Sequence, residues 1–142
     1  MNNFIENVSR SDIRTGMHSD AGPNSMLIQI SDIISEHPAP LNAFKEIHQF
    51  NFEDIEEDEE WACTDTQAAQ LAGLLRHAAN SQMNVIVHCH AGLCRSGAVV
   101  EAGIFIGFNP PDRLRLPNTL VKNKLFRALG VQINESTSVW SL

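Results

Sequence analysis

One stretch constrains the fold more than any other part of the chain: Val85-Ile86-Val87-His88-Cys89-His90-Ala91-Gly92-Leu93-Cys94-Arg95-Ser96-Gly97. Its β-branched start reads as a buried parallel strand. A tight, Gly-containing loop follows from Cys89 to Arg95. Residues 96–108 are then apolar nearly all round, Glu101 excepted, as in a helix covered by the rest of the molecule. A buried parallel strand that turns into a covered helix needs a sheet to pair with and a layer to pack on.

The rest of the chain supplies those partners. Residues 26–30 read as a strand, and 44–52 as a second one. Residues 31–42 can begin as a short helix, which Pro38 and Pro40 break. Thr64 to Gln67 offer N-cap candidates for a helix striped by Ala68, Leu71, Leu74, Leu75 and Ala78. Asn109-Pro110-Pro111 stops the covered helix. A last helix spans 118–129 and closes at Gly130. Residues 1–25 are polar, hold Gly16, Gly22 and Pro23, and read as an irregular N-terminal segment with room for a short helix or strand. From residue 131 to 142 a polar tail is expected to fray, apart from Trp140. With 142 residues and 15.7 kDa the chain fits one domain over 1–142. The element order predicts an α/β fold with a small central, mostly parallel sheet flanked by helices.

Charge narrows the function. Ten Lys+Arg stand against seventeen Asp+Glu, a formal net charge of −7 that argues against a nucleic-acid partner. The excess is local: every residue from Glu53 to Glu60 except Ile55 is acidic, and the remainder of the chain is neutral. No run of about eighteen apolar residues is present, so no membrane span is expected. The first residues lack a signal-peptide pattern, so a cytoplasmic location is expected. Three cysteines, Cys63, Cys89 and Cys94, do not make a disulfide scaffold.

The loop between strand and helix carries the chemistry. Successive backbone N–H groups of His90, Ala91, Gly92, Leu93 and Cys94, together with the positive end of the following helix, form a bowl for an anion of phosphate size. Gly92 permits backbone geometry that other residues resist. Cys89 lies at the base of the bowl, where those donors and a guanidinium favour its thiolate. Arg95 can grip two phosphate oxygens. Attack by the Cys89 thiolate at phosphorus would give a cysteinyl-phosphate. Ser96 can donate to the sulfur and help it leave, and His88 can order the loop by bonding its backbone. No metal or other cofactor is called for, because Arg95 and the N–H bowl supply the positive field.

His88-Cys89-x-Ala91-Gly92-x-x-Arg95-Ser96-Gly97 resembles the signature loop of the cysteine-dependent protein tyrosine phosphatases, and of their small dual-specificity branch in particular. Asn109-Pro110 and Arg115-Leu116-Pro117-Asn118 are similar to that branch too. The resemblance covers roughly residues 26–130. It implies a central sheet with helices on both faces and hydrolysis of phosphotyrosine, with phosphoserine and phosphothreonine admitted by a shallow pocket. The implied partner is a phosphorylated protein or peptide. Cys94 departs from the pattern: it is either a small side chain tolerated in the loop or a partner that traps an oxidised Cys89.

A leaving oxygen needs a proton, and the resemblance places the acid on a loop some thirty-odd residues before the nucleophile. Asp54, 35 residues before Cys89, is favoured because it follows a strand end and an aromatic residue. Asp58 is the runner-up and Glu53 the third choice. Other readings are a phosphopeptide-binding module without turnover, a rhodanese-type sulfur transferase, and a metal site at His88, Cys89, His90 and Cys94. Adjacent strand residues point to opposite faces, which counts against the last. Trp61 has no partner motif and reads as packing. Glu101 can pair with an arginine near 113–115.

Overall fold

The structure, a computed structural model, describes residues 3–134 and 139–141. Four parallel strands form the sheet: β1 (Ile5–Ser9), β2 (Ser25–Ser31), β3 (Glu46–Asn51) and β4 (Asn84–Cys89), in the order β1-β4-β2-β3. β4 is central, with Ile86 opposite Leu27 on one side and Glu6 on the other. Its Val-Ile-Val run is fully buried, as a strand covered on both faces requires.

Helices cover both faces. α1 (Arg10–Thr15) packs Ile13 with Val8, Leu27 and Ile86 on one face. α2 (Asp65–Asn80), α3 (Arg95–Phe105) and α4 (Thr119–Ala128) build the larger core on the other, around Leu71, Leu75, Val99, Val121 and Leu125. Thr64 and Gln67 form the capping box of α2, and Asn118 caps α4. Glu101 pairs with Arg115 at 2.9 Å.

Three expectations need correction. The N-terminal segment is not an irregular stretch with at most a short helix or strand: it holds both, β1 and α1. Its polar look misleads because β1 buries Glu6 and Asn7, whose side chains are partnered rather than solvated. The polar tail contains an antiparallel pair, β5 (Gln132–Asn134) with β6 (Val139–Ser141). Residues 135–138 and 142 lie outside the described residues. No helix forms at 31–42; the backbone after β2 is a turn, and Asn51 Nδ2 donates to Asp32 O at 2.9 Å and to Ser35 O at 3.3 Å.

Candidate active site

β4 ends on Cys89 and α3 begins at Arg95, so residues 90–94 turn the chain at the carboxyl edge of the sheet. Gly92 makes the turn possible. Its φ is +76°, and a Cβ there would lie 2.5 Å from the Val8 carbonyl carbon and 2.6 Å from the Ser9 nitrogen. β1, missing from the sequence reading, is therefore the wall against which the loop is pressed.

Four of the loop's five carbonyls, those of His90, Gly92, Leu93 and Cys94, are tied to groups around it. Asn7 Nδ2 donates to Gly92 O at 2.7 Å, and the Arg10 N–H donates to His90 O at 3.1 Å. The Leu116 and Asn118 N–H groups donate to Leu93 O at 3.0 Å and Cys94 O at 2.9 Å. By contrast, no acceptor among the described residues takes a hydrogen bond from the backbone N–H groups of residues 90–94. Carbonyls tied outward and donors left unpaired are the physical condition for an anion cradle.

Cys89 is buried, and its Sγ lies 3.1 Å from Ser96 Oγ. Arg95 is also buried. Its Nη1 donates to Asp32 Oδ1 at 2.7 Å and to Phe52 O at 2.8 Å, while its Nε has no partner. Two carboxyl-edge groups hold one arm of the guanidinium and leave another donor for an oxyanion. His88 is fully enclosed. Burial pushes its pKa down to about 4, opposed only partly by the bond from Nδ1 to Cys89 O at 3.4 Å, so the ring is neutral at ordinary pH. Cys94 is partly exposed; burial and the Asp54 charge raise its pKa and favour the thiol.

Asp54, Cys89 and Arg95 line one pocket, together with Asp32, Trp61 and Cys94. Asn118 Nδ2 donates to Asp54 Oδ1 at 2.7 Å and to Ile55 O at 3.1 Å. Asp58 turns elsewhere, to Lys124 Nζ at 2.8 Å. Glu53 reaches the pocket, but its carboxylate accepts from the Ile33 N–H at 2.7 Å. Glu53 and Asp54 both line the pocket, and of the two Asp54 is the one held by Asn118.

Sequence reasoning missed Asn7, Arg10, Asp32 and Trp61. A signal existed for Asp32, which lies two residues past the strand expected at 26–30 and so at the carboxyl edge of a parallel sheet, where ligands bind. Trp61 has a left-handed φ of 74° and an exposed ring, and it faces the pocket from the far end of the acidic segment.

No protein-family model and no curated protein sequence matches the chain. Solved structures do. Human DUSP28 aligns with a TM-score of 0.61 at 14% identity, over 87% of this chain and 90% of that one. OH1 from the Orf virus, described as a tyrosine phosphatase with triple substrate specificity, gives a TM-score of 0.53 at 16% identity, over 89% and 82%. The human tyrosine phosphatase-like serine/threonine/tyrosine-interacting protein gives 0.52 at 18%, over 75% and 76%. The chain thus has the fold of the small dual-specificity branch of the cysteine-dependent tyrosine phosphatases.

Proposed function

We propose that the protein is a phosphatase that hydrolyses phosphate monoesters on proteins or peptides, through a cysteinyl-phosphate at Cys89. The observation that carries this is the pairing of an enclosed Cys89 sulfur with a loop whose N–H groups are unpaired and whose carbonyls, Ala91 excepted, are engaged. The unpartnered Nε of Arg95 adds a charged donor at the same place.

In the first step the Cys89 thiolate attacks phosphorus, the ester P–O bond breaks, and Asp54 gives its proton to the leaving oxygen. In the second step a water attacks phosphorus and Asp54 takes its proton. The S–P bond then breaks, and Ser96 donates to the returning thiolate. Arg95 and the loop N–H groups stabilise charge on the equatorial oxygens throughout. The exposed ring of Trp61 at the rim offers a face for an aromatic leaving group, which favours phosphotyrosine. No residue of this scheme calls for a metal.

The test is hydrolysis of an aryl phosphate with vanadate as inhibitor. Wild type should turn over and be inhibited, while Cys89→Ser should be inactive yet still bind phosphopeptide. Binding without turnover by wild type would make the protein a phosphopeptide-binding module instead.

A further inference from the structure

We propose that a second crevice, on the Arg10 side of Cys89, is a subsite for an anionic group that the substrate carries beside its scissile phosphate. The inference rests on the phosphatase reading and names the kind of substrate that site prefers.

Cys89, His90 and Asp32 line both this crevice and the pocket of Asp54 and Arg95, so the two concavities adjoin. The second one opens at the carboxyl ends of β1, β4 and β2, where parallel sheets bind ligands. Arg10 lines it and is fixed to the signature loop through its backbone bond to His90 O at 3.1 Å.

The guanidinium of Arg10 has no ion pair or hydrogen bond to any described residue, whereas Arg95, Arg113 and Arg115 each pair with a carboxylate. Arg14 and Lys45 have no side-chain partner among the described residues either, but of these three only Arg10 lines the crevice beside Cys89. Ser35 and His90 also line the crevice, and their side chains have no partner among the described residues. Three unpartnered side chains able to donate hydrogen bonds therefore surround one concavity next to the candidate nucleophile. Asp32 shares the wall, but Arg95 answers its charge at 2.7 Å. Such a set of donors suits a carboxylate or a phosphate.

Glu53 and Asp54 line the adjoining pocket, and Arg10 lines this crevice. A substrate is then oriented by polarity, with its acidic flank over Arg10 and its neutral or basic flank over the acidic residues.

The experiment compares phosphotyrosine peptides that differ at one flanking residue: alanine, glutamate or phosphoserine. Wild type and Arg10→Gln are assayed on each, with p-nitrophenyl phosphate as the substrate that lacks a flank. Wild type should prefer the acidic peptides over alanine by about five- to tenfold in kcat/KM, mainly through KM. Arg10→Gln should lose that preference and hydrolyse p-nitrophenyl phosphate as wild type does; Arg10→Lys should keep part of it. A preference for phosphoserine without one for glutamate assigns the subsite to phosphate; equal gains assign it to any anion. An unchanged preference in Arg10→Gln, or none in wild type, overturns the proposal. If wild type fails on p-nitrophenyl phosphate, the phosphatase reading fails separately. Calorimetric binding of the same peptides to Cys89→Ser then reads the subsite alone, and equal affinities would refute it.

Discussion

Asn118 joins the acidic segment to the last helix: its Nδ2 donates to Asp54 Oδ1 at 2.7 Å, while its Oδ1 accepts from the Val121 N–H at 3.0 Å. One buried amide thus caps α4 and holds the carboxylate of Asp54, which lines the same pocket as Cys89. Asn118→Asp separates the two tasks. The cap survives, because Asp is as good an N-cap as Asn. The donor to Asp54 is lost and a like charge takes its place. Hydrolysis of phenyl phosphate, a poor leaving group, should fall by about tenfold to a hundredfold, a partial loss against the roughly 10²–10⁴-fold that general acid catalysis supplies. Hydrolysis of an activated aryl phosphate should change by less than about threefold. Steady-state rates across a leaving-group series check this.

Lys124 is a second fastening. Its Nζ is buried between Asp58 at 2.8 Å, Asp65 at 3.4 Å and the Cys63 carbonyl at 2.8 Å. Burial disfavours its charge, but the two carboxylates outweigh this and raise its pKa, so it stays an ammonium. Lys124→Met releases the middle of the acidic segment. Its carboxylate partners are largely exposed and tolerate the loss. The variant should fold, and it should lose activity selectively on poor leaving groups, as Asn118→Asp does. An equal loss on all substrates would mean that Lys124 serves stability alone.

Gly92 predicts a folding defect. Alanine there would hold a left-handed φ of +76° and push a methyl group against the Val8–Ser9 peptide. Strain and overpacking together should cost about 2–5 kcal/mol, read as a lower midpoint in urea unfolding.

His88 predicts a pH effect on stability. Its pKa is about 4 in the fold, against an unfolded value near 6.5. Between those values the unfolded chain binds the extra proton. Stability therefore rises with pH through this window and is lost as pH falls from about 6.5 to 4. The loss reaches up to about 3 kcal/mol. His88→Asn should flatten that part of the profile of melting temperature against pH.

The three cysteines should differ in reactivity. Burial pushes the Cys63 thiol up to about 11. Iodoacetamide at neutral pH should modify Cys89 first and spare Cys63 in the folded protein, as peptide mass spectrometry would show.

Much of this was legible in the sequence because local rules and packing agree there. The Val85-Ile86-Val87 run, the Gly92 turn and the covered helix announce themselves through β-branching, glycine and apolar periodicity. Thr64 and Gln67 announce the start of α2. β1 was not legible, since Glu6 and Asn7 look like loop residues until their distant partners, Ser19, Gly92 and Leu114, are known. Asp32 and Arg10 were missed for the same reason: each lies near Cys89 only after β1, β2 and β4 pair. In the sequence the acidic octad shows only the spacing that favours Asp54 over Asp58 and Glu53, not the partners of its members. The fold divides it, giving Asp54 to Asn118, Asp58 to Lys124 and Glu53 to the backbone after β2.

The central claim is that phosphorus passes through the Cys89 sulfur. Rapid acid quench of wild type with an excess of aryl phosphate, followed by peptide mass spectrometry, tests it most directly. Phosphate should be found on Cys89 during turnover, and neither that adduct nor product should form with Cys89→Ser. Product formation at the wild-type rate by Cys89→Ser would contradict the account.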